Sequence, residues 1–454
     1  MPIWRTPTEI TLVQGCATVV WLDLTSPFGA SPTGVDWSIE LPEGCEVLDL
    51  SRRPRFFVGP DAHRPRVSRD GRLLELSFTG FLPGDNHRRP MANPDNWCDL
   101  HFPLVLIADS MADGQVIQIT RRAMGDSDER EVELVVHDRP SQLTPPTMAR
   151  CMQLLFFPWF TREEQEVLAQ TLARCGISDC SLNWHNNGQP LLPIDAYALS
   201  ARILRKAIPG VRVWIGGLPG ADTPLPRAEA LYGHHIPFVA SPEAAIHDGP
   251  DLVVASERSW CEATGADGVM IALSEPSSVD TDAMPAHCFT YRSRRRFTRE
   301  FGLPAVPDPL TILQNYREAW VEFACRQMRR LLELARHGHG DRRLAVCAYG
   351  PGGPARAEAS VDWRELSQVA DVLVYTHQEQ SEDDGAEHWG YTRVGGTPQA
   401  WWERWHDPLG TIDDSELVVA DAKMQLAFSG SRGVRIGSWA CLDGRLQQRL
   451  MEWR

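Results

Sequence analysis

The chain has 454 residues, 43% of them hydrophobic, too many for one ordinary core and apolar enough to bury two large ones. Its 60 acidic against 45 basic side chains leave a formal net charge of −15, with a pI near 5.4. That argues against a nucleic-acid-binding protein and gives no reason to expect an anionic membrane as partner.

The first residues, from Met1 to Gly15, carry neither a charged leader nor an apolar signal core, and no apolar run approaches a membrane span, so the default expectation is cytoplasmic. The 11 cysteines are dispersed with no CxxC pair, which reads as reduced buried thiols rather than a disulfide framework or zinc module. His234-His235 and His287-Cys288 lack ligand spacing, so no metal and no cofactor is expected. The basic residues are nearly all arginine; Lys206 and Lys423 are the only lysines.

Residues 1–138 have the rhythm of short strands. Ala17–Leu22, Asp36–Leu41, Arg72–Phe78, Val116–Ile119 and Glu131–Val136 are separated by turn clusters such as Pro42-Glu43-Gly44 and Asp113-Gly114. Several alternate apolar with polar, and the spacing predicts an antiparallel β-sandwich. Residues 139–147, with Pro140, Pro145 and Pro146, read as a stiff linker.

From residue 148 to 454 the rhythm becomes βα. Strands are predicted at Met152–Phe157, Cys180–Trp184, Val211–Ile215, Gly268–Leu273, Leu344–Tyr349, Val372–Tyr375, Leu417–Ala420 and Val434–Ser438. Helices are predicted at Arg162–Cys175 with Thr161 as N-cap, Asp195–Ala207, Leu310–Arg336, Trp363–Val369 and Arg445–Trp453. The segment 221–262 is a longer excursion holding a short helix at Pro242–Ile246. Eight such units predict a (β/α)8 TIM barrel, and the multidomain fold class is β plus α/β. The glycine fingerprint of a dinucleotide fold, the P-loop and the GxSxG elbow are all absent.

In such a barrel the residues just past each strand converge on one face. That places Trp159, Asn183, Trp184, His185, Tyr349, Tyr375, His377, Lys423 and Trp439 there as substrate-binding residues. Indoles, amides and a histidine suit a carbohydrate partner. Glycoside hydrolysis further needs two carboxyl groups across the scissile bond. Glu275 directly follows the fourth strand and, with Ser274 and Pro276 beside it, has no adjacent charge to stabilise its ionised form; it is the acid candidate. Glu379 after strand six and Asp421 after strand seven compete to be its partner. The His337-Gly338-His339 run suits the negative end of a helix. Arg292–Arg296 with Arg299 forms a basic helical face, read either as solvated surface or as a site for acidic sugars.

The order of these features resembles bacterial glycoside-hydrolase-like barrels related to the β-galactosidase and clan A retaining families. The resemblance covers roughly residues 150–454 and rests on Gly268-Val269, Glu275, Cys288-Phe289, Arg292, Phe297, Phe301-Gly302, Trp320 and Phe323. It departs where the family pattern has an acid two places before the glutamate (Leu273 here) and further cysteines (Tyr291 and Ser293 here). Asp421 also stands at the expected strand-seven position, where the family has glutamate. The resemblance implies a glycoside hydrolase with a carboxylate pair. The alternatives are a non-catalytic carbohydrate-binding relative and a barrel lyase using Lys423 and Tyr375. The sequence leaves the sugar and a homo-oligomer open.

Overall fold

The computed structural model describes residues 8–23, 35–48, 66–67, 72–78, 101–123, 126–139, 148–154, 157–183, 185–186, 189–190, 192–217, 219–220, 222–229, 233, 235–273, 288–349, 362–376, 399–406, 419–420, 423, 433–438 and 443–453. Residues 9–137 build strands β1 (Glu9–Val13), β2 (Ala17–Asp23), β3 (Val35–Glu40), β4 (Cys45–Val47), β5 (Arg66–Val67), β6 (Leu73–Phe78), β7 (His101–Ala108), β8 (Val116–Ala123) and β9 (Asp126–His137). Alternation decides their faces: Trp37 and Ile39 of β3 are buried between exposed Asp36 and Glu40.

These strands form a six-stranded sheet, β1-β9-β8-β3-β6-β5, and a three-stranded sheet, β2-β7-β4. Leu12, Ile39, Ile119 and Leu134 of the first sheet share an apolar cluster with Val19 and Leu106 of the second. One pairing corrects the antiparallel expectation. β1 runs parallel to β9, with Ile10 opposite Leu134. Parallel neighbours need a long connection, and the rest of this region supplies it.

From residue 149 onward the barrel strands are β10 (Ala149–Gln153), β11 (Asp179–Asn183), β14 (Arg212–Gly217), β17 (Gly268–Ala272), β18 (Arg343–Tyr349), β19 (Val372–Thr376), β20 (Gln399–His406) and β21 (Gly433–Ser438). Between them lie two small hairpins, β12 (His185–Asn186) with β13 (Gln189–Pro190), and β15 (Arg227–Glu229) with β16 (His235–Ala240). The barrel strands are all parallel, and pairing of β21 with β10 closes the ring. Both faces of each strand are covered, which is why the sequence shows continuous apolar runs there. Trp214, Met270, Cys347, Val374 and Trp401 pack inside the barrel. Val213, Ile215, Val269, Ile271 and Val346 pack outward with the larger cluster.

Two glycines make the interior possible. A Cβ on Gly268 would lie 2.4 Å from the Trp214 ring, and one on Gly433 2.7 Å from Trp401. The two indoles meet edge to face at 5.7 Å and plug the barrel.

The helices are α1 (Arg162–Arg174), α2 (Ile194–Ala207), α3 (Pro242–His247), α4 (Pro250–Thr264), α5 (Tyr291–Glu300), α6 (Pro309–Asn315), α7 (Arg317–His339), α8 (Trp363–Leu366) and α9 (Gly444–Glu452). Thr161 caps α1 as expected. Its hydroxyl accepts from the Glu164 N–H, and the Glu164 carboxylate accepts from the Thr161 N–H, a reciprocal capping box. None of the described helices is long and apolar enough to cross a membrane.

β1, β2 and the turn between them contact the barrel helices α1 and α9 directly. Arg174 donates to the Gly15 carbonyl, Gln447 to the Ala17 carbonyl, and the Ala17 N–H to the Thr171 hydroxyl. A Cβ on Gly444 would sit 1.9 Å from the Thr11 carbonyl oxygen, so only glycine lets α9 approach β1 this closely.

Three sequence expectations are corrected. The seventh barrel strand is Gln399–His406, not Leu417–Ala420; Val419 and Ala420 are helical. A run of four apolar residues does not distinguish strand from helix. The helix expected over Leu310–Arg336 is two helices, parted at Tyr316, whose φ of −134° leaves helical space. His339 is not a cation at the end of α7. It is fully buried, and burial with the nearby Arg336 charge pushes its pKa down to about 4, so it is neutral at pH 7.

Candidate functional site

The C-terminal strand ends define the mouth of the barrel. Pairing of β17 continues one residue past the strand, where the Leu273 N–H donates to the Cys347 carbonyl at 2.7 Å. Glu275 comes two residues later and lies outside the described residues, as do Glu379, Asp421, Trp184, His377 and Trp439. Asn183 ends β11 and Tyr349 ends β18. Their register positions fall on the inner face, in step with buried Ser181 and Cys347. His185 sits in the β12–β13 hairpin just beyond β11.

Three of the expected substrate-binding residues are placed elsewhere. Tyr375 alternates with inward Val374 and so takes an outer-face position on β19. Trp159, in a short turn after β10, is 1% exposed and belongs to the main apolar cluster, a packing residue rather than a sugar platform. The Lys423 ammonium lies 5.9 Å from the Trp453 ring. Trp453 in turn stacks on Arg150 near the start of β10, at the end of the barrel opposite the mouth. That separates Lys423 from Tyr349, Asn183 and the strand-four terminus, and removes the base of the lyase reading.

Strand seven brings in a residue the sequence reading missed. Because Trp401 points into the barrel, alternation puts Glu403 and Trp405 on the same inner face. Glu403 is in register with Thr376 of β19 and Arg435 of β21. It stands about 6.6 Å nearer the mouth than Trp401. Arg435 is 2% exposed, and its charge acts on the Cys151 thiol, which burial pushes far above its ordinary value. Gln153 and Ser181 are in register on the adjoining strands. Both are buried, and among the described residues Gln153 Oε1 and Ser181 Oγ have no hydrogen-bond partner. Polar inner-face positions on strands one, two, seven and eight therefore surround an interior plugged by indoles. The readable signal was the period-two pattern Trp401-x-Glu403-x-Trp405.

The N-terminal ends of the strands are built differently. Buried Asp179 accepts from Arg212 Nε and Nη2, both at 2.8 Å, and from the Trp214 indole at 2.9 Å. Asp267 accepts from the Val213 N–H and Arg205. Asp371 accepts from the Leu344 N–H and Arg336. Arg150 donates to the carbonyls of Cys175, Leu450 and Trp453. Charge at this end of a barrel serves stability.

Among the described residues no group of three or more histidines, cysteines or carboxylates could hold a metal ion. The nine described cysteines are buried thiols.

No family model and no curated protein matches the chain. Among solved structures it is similar to a β-galactosidase from the psychrophilic Marinomonas ef1, at 12% identity and a TM-score of 0.47, covering 66% of this chain and 58% of that one. It is also similar to the catalytic domain of a β-amylase from Paenibacillus polymyxa, at 11% identity and a TM-score of 0.48, covering 68% of this chain and 98% of that one. The tryptophan synthase α subunit of Legionella pneumophila is a further match, at 11% identity and a TM-score of 0.35, covering 67% and 93%. The chain thus spans less than two thirds of the length of that β-galactosidase. These are likenesses of architecture, and residue roles rest on the chain itself.

Proposed function

We propose that the chain is a (β/α)8 TIM-barrel glycoside hydrolase with an N-terminal β-sandwich over residues 1–138 and a catalytic barrel over residues 148–454. The observation that carries this reading is the strand-seven register, which puts Glu403 on the inner face beside Arg435. Glu275 follows strand four by so little chain that it remains within about 7 Å of Leu273. Strands four and seven stand three apart in a ring of eight. In this reading Glu275, after strand four, and Glu403, on strand seven, are the carboxyl pair that glycoside hydrolysis requires.

The roles divide by environment. Glu275 has no charged neighbour in sequence and serves as the acid that protonates the leaving oxygen. Glu403 is assigned the role of nucleophile or base, on a register position that adjoins that of Arg435. Glu403 takes the partner role that the sequence offered to Glu379 and Asp421. Asn183 and Tyr349, on the inner face of their strands, are the substrate-orienting residues.

The test is a panel of aryl glycosides offered to the wild type and to Glu275→Gln. Hydrolysis of one or more glycosides by the wild type, lost in the variant, is the expected result. Equal hydrolysis by both removes Glu275 from the mechanism. If the wild type binds but hydrolyses none, the non-catalytic relative is the better description.

A further inference from the structure

On the inner face of the barrel, polar capacity near the N-terminal strand ends is used. Asp179 on β11 accepts from Arg212 Nε and Nη2 and from the Trp214 indole. Toward the mouth the pattern changes. Ser181, the next inward residue of β11, is 0% exposed, and Gln153, its register partner on β10, is 1% exposed. Among the described residues Ser181 Oγ and Gln153 Oε1 have no hydrogen-bond partner. A buried polar atom left unmade is destabilising, so two at paired positions call for a reason. Other such atoms lie outside the ring. Arg150 Nε belongs to an outward position of β10 whose other nitrogens are bonded, and His339 and Gln327 are on α7.

Inward side chains of such a barrel stack in layers of four drawn from alternate strands. Trp214 and Trp401, with Cys151 and Ala345, make the plug. The register puts Ser181, Met270, Val374 and Arg435 in the next layer toward the mouth. Above it come Gln153, Cys347, the position of Glu403, and Gly216, which adds no side chain. The two sides of these layers differ in chemistry. Strands β17, β18 and β19 contribute Met270, Cys347 and Val374 to an apolar cluster. Strands β10 and β11, across the ring, contribute an amide and a hydroxyl. A pyranose is divided in the same way, with C–H bonds on its faces and hydroxyls at its edge.

We propose that Gln153 and Ser181 are specificity-determining residues that bind the hydroxyl groups of one sugar ring, whose C–H face lies against Met270 and Val374. The inference rests on the glycosidase reading and deepens it: the sugar is recognised by neutral groups of strands one and two, at the level of the strand-seven carboxyl position. A serine hydroxyl both donates and accepts, and a glutamine amide does so through separate atoms, so the pair matches hydroxyls presented in either sense. A buried water that only satisfies the two side chains is the competing occupant.

The experiment compares the wild type with Ser181→Ala and Gln153→Met on a panel of aryl glycosides. Each substitution is expected to lower kcat/KM about tenfold or more. The melting temperature should stay unchanged or rise, because each removes a buried polar atom that has no partner. Monodeoxy forms of the best substrate give the sharper reading. The wild type rejects one of them about tenfold or more, and one of the two variants rejects it no further. Equal rates in the wild type and both variants overturn the proposal while the glycosidase reading stands. So does a lower melting temperature with the deoxy discrimination retained, the result for a pair that holds only a structural water. If the wild type hydrolyses no glycoside, that reading falls, and the full chain is titrated with the free sugars of the panel. Binding of one sugar that weakens about tenfold in Ser181→Ala sustains the pair as a sugar site. No binding, or equal binding by both, overturns it.

Discussion

The two ends of the barrel use polar residues in opposite ways. At the N-terminal end Asp179, Asp267 and Asp371 each hold an arginine and a further donor, and Arg150 caps three carbonyls. At the mouth end buried Gln153 Oε1 and Ser181 Oγ have no partner among the described residues. Native folds rarely leave such atoms unmade unless the site serves a purpose. Arg150 Nε and both His339 nitrogens are likewise without partners among the described residues, so the contrast teaches that unmade polar capacity marks a site only where register also brings functional side chains together.

The largest expected effect falls at the mouth. Glu275→Gln should lower the rate by about 10²–10⁴-fold, the usual worth of a positioned acid, while leaving the thermal midpoint unchanged. A stability loss with activity intact would break the contrast. At the other end, Asp179→Ala strands Arg212 and the Trp214 indole and should cost about 3–5 kcal/mol of stability by denaturant titration. The activity per folded molecule should hold.

A third prediction concerns the seam of α4 and α7, where Glu257 is buried close against Gly338. Burial, and then the Asp222 charge, raise its pKa from 4.5 to about 8. A carboxyl that stays protonated in the native state contributes stability that is fully present below pH 4.5. That contribution is lost as pH rises toward about 8. Glu257→Gln should therefore raise the melting temperature at pH 8 by several degrees and change it little at pH 4.5. His339 sets the opposite limit: with its pKa lowered to about 4 from 6.5, the stability tied to its neutral form is lost as pH falls through that window. The smallest effect is at α1, where Thr161→Ala removes one half of the capping box and should cost about 1 kcal/mol, measured by the same titration.

Much of the scaffold was legible because local signals agreed with the fold. The βα rhythm located seven of the eight barrel strands to within a few residues, and Thr161 with Glu164 announced the start of α1. Strand seven was not legible, because its inner face carries Trp401 and Glu403 rather than β-branched residues, so it did not read as an apolar run. Leu417–Ala420 did, and drew Asp421 to the strand-seven position. Lys423 was misplaced through the same error. The neutral state of His339 depends on packing between distant segments, which local sequence does not record. The arginines of α5 were visible at once, but only the structure pairs Arg292 with Asp248, turns Arg294 to the Phe289 and Pro307 carbonyls and brings Arg296 to act on the buried Glu243 carboxyl.

The central claim is that strand seven delivers the second carboxylate. It is tested most directly by comparing the turnover of Glu403→Gln and Asp421→Asn on an aryl glycoside that the wild type hydrolyses. The expected result is a loss of about 10³-fold or more for Glu403→Gln with an unchanged melting temperature, and a rate within a few-fold of wild type for Asp421→Asn. The reverse pattern would contradict the register-based assignment.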